Sequence, residues 1–121
     1  DLLAVAGDVD TLSLVRVIFE RAGHDVLTAA TGGEAERLLL SLDGWSLDLV
    51  VAAAVLPDGD GVVLAVALGR RLGCRTLTLC PGESDARRSE RAGVDTHLFE
   101  HSVLIGLGHA ARVLSGRQTG S

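Results

Sequence analysis

The residue types best suited to chemistry gather in the last third of the chain. Cys80, His97, Glu100 and His101 are all potential metal ligands, and Cys80 could sense oxidants. Metal sites usually show tighter ligand spacing than this. Cys80 and His97 are therefore read as fillers of small gaps, and Glu100 and His101 as solvated, with no metal or cofactor expected. Gly106-Leu107-Gly108-His109-Ala110-Ala111 matches the dinucleotide fingerprint GxGxxA. That motif works only between a strand and a strand–helix unit carrying an acidic residue. Here it sits inside the last predicted helix, so it is read as chance. Arg87, Arg88 and Arg91 could face a partner, but Asp85 and Glu90 beside them favour a solvated face. No nucleophile–base pair is apparent, so no enzyme activity is expected.

Cys74 and Cys80 flank one predicted strand. Six strand residues span roughly 20 Å, whereas a disulfide needs Cα atoms within about 7 Å. The two cannot pair, and a reduced, cytoplasmic protein is the natural expectation.

The elements that would hold these residues alternate regularly. Leu2 to Ala6 reads as a short buried strand, and Asp10 as the N-cap of a helix whose Leu14, Val15, Ile18, Phe19 and Ala22 recur at helical spacing. Gly23 closes it. A second strand covers Asp25 to Ala29. Thr31-Gly32-Gly33-Glu34 reads as a capping box, followed by the apolar face Ala35, Leu38, Leu39 and Leu42. Leu47 to Val55 is apolar on both faces, as a central parallel strand must be. Pro57 to Gly61 is a turn. Val62 to Leu72 is the third helix, Arg75 to Cys80 the fourth strand, Ser84 to Ala92 an unusually polar fourth helix, Thr96 to Phe99 the fifth strand and Val103 to Leu114 the last helix.

Strict alternation implies an α/β fold, a doubly wound sheet of five parallel strands in the order 2-1-3-4-5. Its crevice lies at the carboxyl ends of the first and third strands, which places Ala6, Gly7 and Ala53 there. None of these can hold a metal or attack a substrate.

The 121 residues suffice for one domain with a real core, and 47% of them are apolar. Residues 1–114 are read as that domain and 115–121 as a polar tail or linker. The formal net charge of -5 argues against nucleic-acid contact, and with only Phe19, Trp45 and Phe99 as aromatics base stacking is not available. No apolar run is long enough for a membrane span, and no export signal is visible. The start in an apolar run without Met suggests a module cut from a longer protein.

In order and spacing, Asp48-Leu49-Val50 and Leu56-Pro57-Asp58-Gly59-Asp60-Gly61 resemble the bacterial response-regulator receiver domain, which is CheY-like and flavodoxin-like in fold. Glu20 to Val26, Thr28 to Gly32 and Arg91 to Asp95 fit the same pattern, so the resemblance covers essentially the whole chain. It implies a phosphorylation pocket: an acidic pair at Ala6 and Gly7, an acceptor Asp at Ala53, a Thr or Ser at Cys80 and a Lys at Glu100. All five are changed. Glu100 puts a negative charge where an incoming phosphoryl group needs a positive one. The aromatic switch position falls on His97, and the segment from Cys80 to Gly93 looks about two residues shorter than usual.

The resemblance thus implies a pseudo-receiver: a regulatory module of a two-component-type protein or transcriptional regulator that acts by contact and not by accepting phosphate. The expected partners are a second copy, met through the fourth helix, fifth strand and fifth helix, and a covalently linked output domain. The other reading is a small-ligand sensor using the vacated crevice.

Overall fold

The computed structural model describes residues 1–41 and 47–100. In chain order the elements are β1 (Leu2–Val5), α1 (Val9–Arg21), β2 (Val26–Ala29), α2 (Gly32–Ser41), β3 (Leu49–Ala53), β4 (Val55–Leu56), β5 (Gly59–Asp60), α3 (Gly61–Leu72), β6 (Arg75–Cys80), α4 (Glu83–Ala92) and β7 (Thr96–Phe99). Five strands pair in parallel in the order β2-β1-β3-β6-β7. This is the expected 2-1-3-4-5 arrangement, since β6 and β7 are the fourth and fifth strands of the main sheet. The expected last helix, its Gly106 to Ala111 motif, His101, Leu42, Trp45 and the 115–121 tail lie outside the described residues.

Alternation along each strand divides the core into two layers. Leu2 and Ala4 of β1, Leu49 and Val51 of β3, and Leu77 and Leu79 of β6 pack with Val15 and Phe19 of α1. Leu3 and Val5, with Val50 and Ala52, point the other way and pack with Ala35 of α2 and with Ala65 and Leu68 of α3. Apolar runs without polar alternation make sense because both faces are covered. Phe19 and Leu68 are fully buried, each worth roughly 1.5–3 kcal/mol of transfer free energy.

Several ends differ from the sequence expectation. Asp8, not Asp10, caps α1: its backbone is extended, and its carboxylate accepts from the Asp10 N–H at 3.2 Å and the Thr11 hydroxyl at 2.8 Å. Asp10 sits in the first turn, where the helix dipole favours a carboxylate. The third strand is shorter than expected because the chain leaves the sheet after Ala53 and folds into the antiparallel hairpin β4–β5 around Pro57 and Asp58. The capping box is half realised. Thr31 accepts from the Glu34 N–H, but Glu34 reaches back to the N–H of Ala30, one residue before the cap. Gly23 follows α1 with φ +94°, as its role required. No helix among the described residues is long and apolar enough to cross a membrane.

Candidate functional site

Parallel registration brings the strand ends to one edge. Val5 pairs with Ala52, Ala53 with Leu79 and Cys80 with Phe99. The residues that leave those strands enclose a concavity of about 560 Å³. Ala6, Gly7, Asp8 and Thr11 line one side, Ala53 and the Val55–Pro57 segment another, and Glu100 the third. Four of the positions singled out in the sequence, Ala6, Gly7, Ala53 and Glu100, therefore meet. Cys80 does not line this space. Its side chain is fully buried with Ala54, Val62 and Ala86 on the α3–α4 side.

The site's floor is closed by packing. A Cβ on Gly7 would lie 2.6 Å from Pro57 Cγ and 2.9 Å from Cδ, so the proline ring occupies the space that a side chain at position 7 would need. Gly61 admits no side chain either, since a Cβ there would lie 1.6 Å from the Ala53 carbonyl oxygen. The start of α3 thus docks backbone-to-backbone on the end of β3, and the Gly61 N–H donates to the Ala54 carbonyl at 2.9 Å.

The resemblance implies Mg²⁺ here, and the residues present do not fit it. Mg²⁺ takes carboxylates and ordered water in octahedral geometry. Ala6, Gly7 and Ala53 offer no side-chain oxygen. Asp8, the nearest carboxylate in sequence, is committed to its helix cap. The Thr11 hydroxyl and then the Asp10 N–H hold it below the usual carboxylate range. Among the described residues, no group of three or more His, Cys, Asp or Glu is placed to hold a metal ion.

The carboxylates after β3 are also committed. Asp58 accepts from the N–H groups of Gly32 and Gly33 at 2.9 Å each, which lowers its pKa, Gly33 contributing most. It fills the N-terminus of α2 as an anion would. Asp60 caps α3 through the N–H of Val62 at 2.9 Å and Val63 at 3.3 Å. Partial burial raises the Asp60 pKa, but the Val63 N–H, the Arg88 guanidinium and the Val62 N–H outweigh it. Arg88 bridges Asp60 and Asp85, and Arg87 pairs with Glu83 at 3.6 Å. Arg88 is thus a tie between α4 and the β5–α3 junction, a role its sequence neighbours alone did not reveal.

A buried hydroxyl pair beneath α4 was also missed. The Oγ atoms of Thr78 and Ser89 lie 2.7 Å apart, and both residues are fully buried. Ser89 donates to the Asp85 carbonyl at 2.9 Å, so Thr78 must donate to Ser89. Cys80 Sγ stands 3.7 Å from each. The sequence signal was a serine three residues after Ala86, which places both on one face of α4. His97, which the resemblance aligns with the switch position, is half-buried, 3.8 Å from Glu90 through Nε2 and edge-on to Phe99 with ring centroids 6.2 Å apart.

Neither a protein-family model nor a curated protein matches the sequence. Solved structures do match. A two-component response regulator from Clostridium difficile superposes with a TM-score of 0.79 at 20% identity, over 99% of this chain and 98% of that one. The receiver domain of Francisella response regulator 1452 gives 0.77 at 21% identity, over 97% of each chain. A CheY-like receiver domain protein from Methanospirillum hungatei JF-1 gives 0.77 at 23%, over 98% of this chain and 95% of that one. At these identities the likeness is one of architecture. With this likeness and the strand order β2-β1-β3-β6-β7, the chain has the fold of the response-regulator receiver domain.

Proposed function

We propose that this chain is a receiver-like regulatory module of a two-component-type signalling protein or transcriptional regulator that works by protein contact, without accepting phosphate, and that it is not an enzyme. One observation carries the reading: Ala6, Gly7, Ala53 and Glu100 line the crevice where such a fold would do its chemistry. They supply neither a nucleophile nor a metal ligand set, and the Pro57 ring closes the space beside Gly7. The partners are a second copy, met through a face that includes α4 and β7, and a covalently linked output domain. On α4, Arg87, Glu90 and Arg91 are exposed.

Incubation with acetyl phosphate and Mg²⁺, followed by intact-mass measurement, tests this reading. No adduct of one phosphoryl group is expected. A stoichiometric, Mg²⁺-dependent adduct overturns it. A second reading, a sensor for a small ligand, draws on the same concavity, whose volume of about 560 Å³ falls within the roughly 300–1,000 Å³ of ligand pockets. A saturable stabilisation by a compound in a thermal-shift screen would favour that reading over the first.

A further inference from the structure

We propose that the concavity at the strand ends accepts a cationic side chain, Lys or Arg, from a partner protein; this rests on the contact-based reading above. The concavity combines an apolar floor with negative charge. Ala6, Ala53, Leu56 and Pro57 supply the floor, Glu100 supplies an uncommitted carboxylate, and Asp8, though held in its helix cap, adds negative charge, with no basic residue among the lining. Glu100 is exposed and makes no hydrogen bond or ion pair among the described residues. It is therefore a free charge at the mouth of a formed depression.

The surroundings carry the same sign. The segments leaving the strands also bear Asp10, Glu34, Asp58, Asp60, Glu83 and Asp85. The nearby arginines, Arg87 and Arg88, are tied to Glu83, Asp60 and Asp85. Such a field repels phosphate and attracts a cation. An alkyl stem suits the floor, because Lys and Arg lay their methylenes on apolar surface while the charged head stays at a polar edge. Val55, on the rim, is 62% exposed, and Val9, next to Asp8, is 74% exposed.

The test uses the ¹⁵N-labelled protein and blocked amino acids as probes. N-acetylarginine methylamide is expected to shift the amide signals of Ala6, Gly7, Thr11, Ala53 and Glu100 saturably. N-acetylcitrulline methylamide, the neutral isostere, is expected to leave them in place. Methylguanidinium, which lacks the stem, is expected to bind more weakly than the arginine probe. Glu100→Gln, an exposed substitution whose folding the spectrum itself reports, is expected to weaken the arginine probe about two- to fivefold, the size of one exposed ion pair. Absent shifts, equal response to citrulline, methylguanidinium binding as tightly, or an unchanged affinity in Glu100→Gln each overturns the proposal. Addition of Mg²⁺ and beryllofluoride to the same sample separates the two readings. An adduct overturns phosphate independence whatever the arginine probe does. No adduct and no arginine response overturns the side-chain site alone.

Discussion

Replacing Ser89 by Ala strands a buried hydroxyl, and the structure says how much that costs. Thr78 and Ser89 are both fully buried, with their oxygens 2.7 Å apart. In Ser89→Ala the Thr78 proton keeps only Cys80 Sγ, at 3.7 Å, as a poor acceptor. An orphaned buried donor costs about 1–3 kcal/mol. In Thr78→Val the Ser89 proton still reaches the Asp85 carbonyl at 2.9 Å, so no donor is orphaned and the loss is about 1 kcal/mol or less. The double variant removes the orphan again. It is expected to be more stable than Ser89→Ala alone and close to Thr78→Val, a coupling of about 1–2 kcal/mol between the sites. For a domain of this size each kcal/mol shifts Tm by about 3–5 °C. Urea and thermal unfolding followed by circular dichroism on the four proteins measure the cycle. Additive losses, or a Ser89→Ala cost below about 0.5 kcal/mol, would refute the reasoning. They would mean that α4 is held to the sheet by something other than this pair.

Three further outcomes follow from single positions. Gly61→Ala places a Cβ 1.6 Å from the Ala53 carbonyl and is expected to lower stability by about 3 kcal/mol or more, read from the urea midpoint; a loss under 1 kcal/mol contradicts the docking of α3 on β3. His24 is buried, its Nε2 has no hydrogen-bond partner among the described residues, and burial pushes its pKa below the ordinary 6.5. The unfolded chain therefore takes up the proton first as pH falls, so stability drops below about pH 6.5 and levels off under the folded-state pKa. Unfolding between pH 7.5 and 5.5 should show that slope in the parent and lose it in His24→Leu. Ala53→Asp places a carboxylate where the resemblance expects an acceptor but leaves its surroundings unchanged, because Pro57 closes the space beside Gly7 and Glu100 remains; with acetyl phosphate and Mg²⁺ it is expected to form no phosphoryl adduct by intact mass, and one appearing would show that a carboxylate at this position suffices.

The fold was legible because its signals are periodic. Leu49 to Ala53 reads as apolar throughout, and burial on both faces explains why. Arg75–Cys80 and Thr96–Phe99 begin and end where turn chemistry marked them. Helix starts were less legible, because Asp8 and Asp10 are equally good caps by type. The choice fell to Asp8, whose extended backbone lets Thr11 and the Asp10 N–H reach it. The site's location followed from topology alone, since parallel strands must deliver Ala6, Gly7 and Ala53 to one edge. What packs around it was not legible. The Pro57 ring over Gly7, Asp58 on the N-terminus of α2 and Arg88 on Asp60 are contacts between residues far apart in sequence, and no local pattern encodes them. Cys80 aligned with the pocket by count, yet its side chain went to the α3–α4 side, because the pleat turns alternate residues to opposite faces.

The central claim is that this receiver fold does not take up phosphate, and beryllofluoride with Mg²⁺ tests it most directly. That complex mimics a phosphoryl group on an acceptor carboxylate held by metal. A thermal-unfolding titration of the parent protein is expected to show the same Tm with beryllofluoride and Mg²⁺ together as with either component alone. A saturable rise in Tm that requires both would contradict the account.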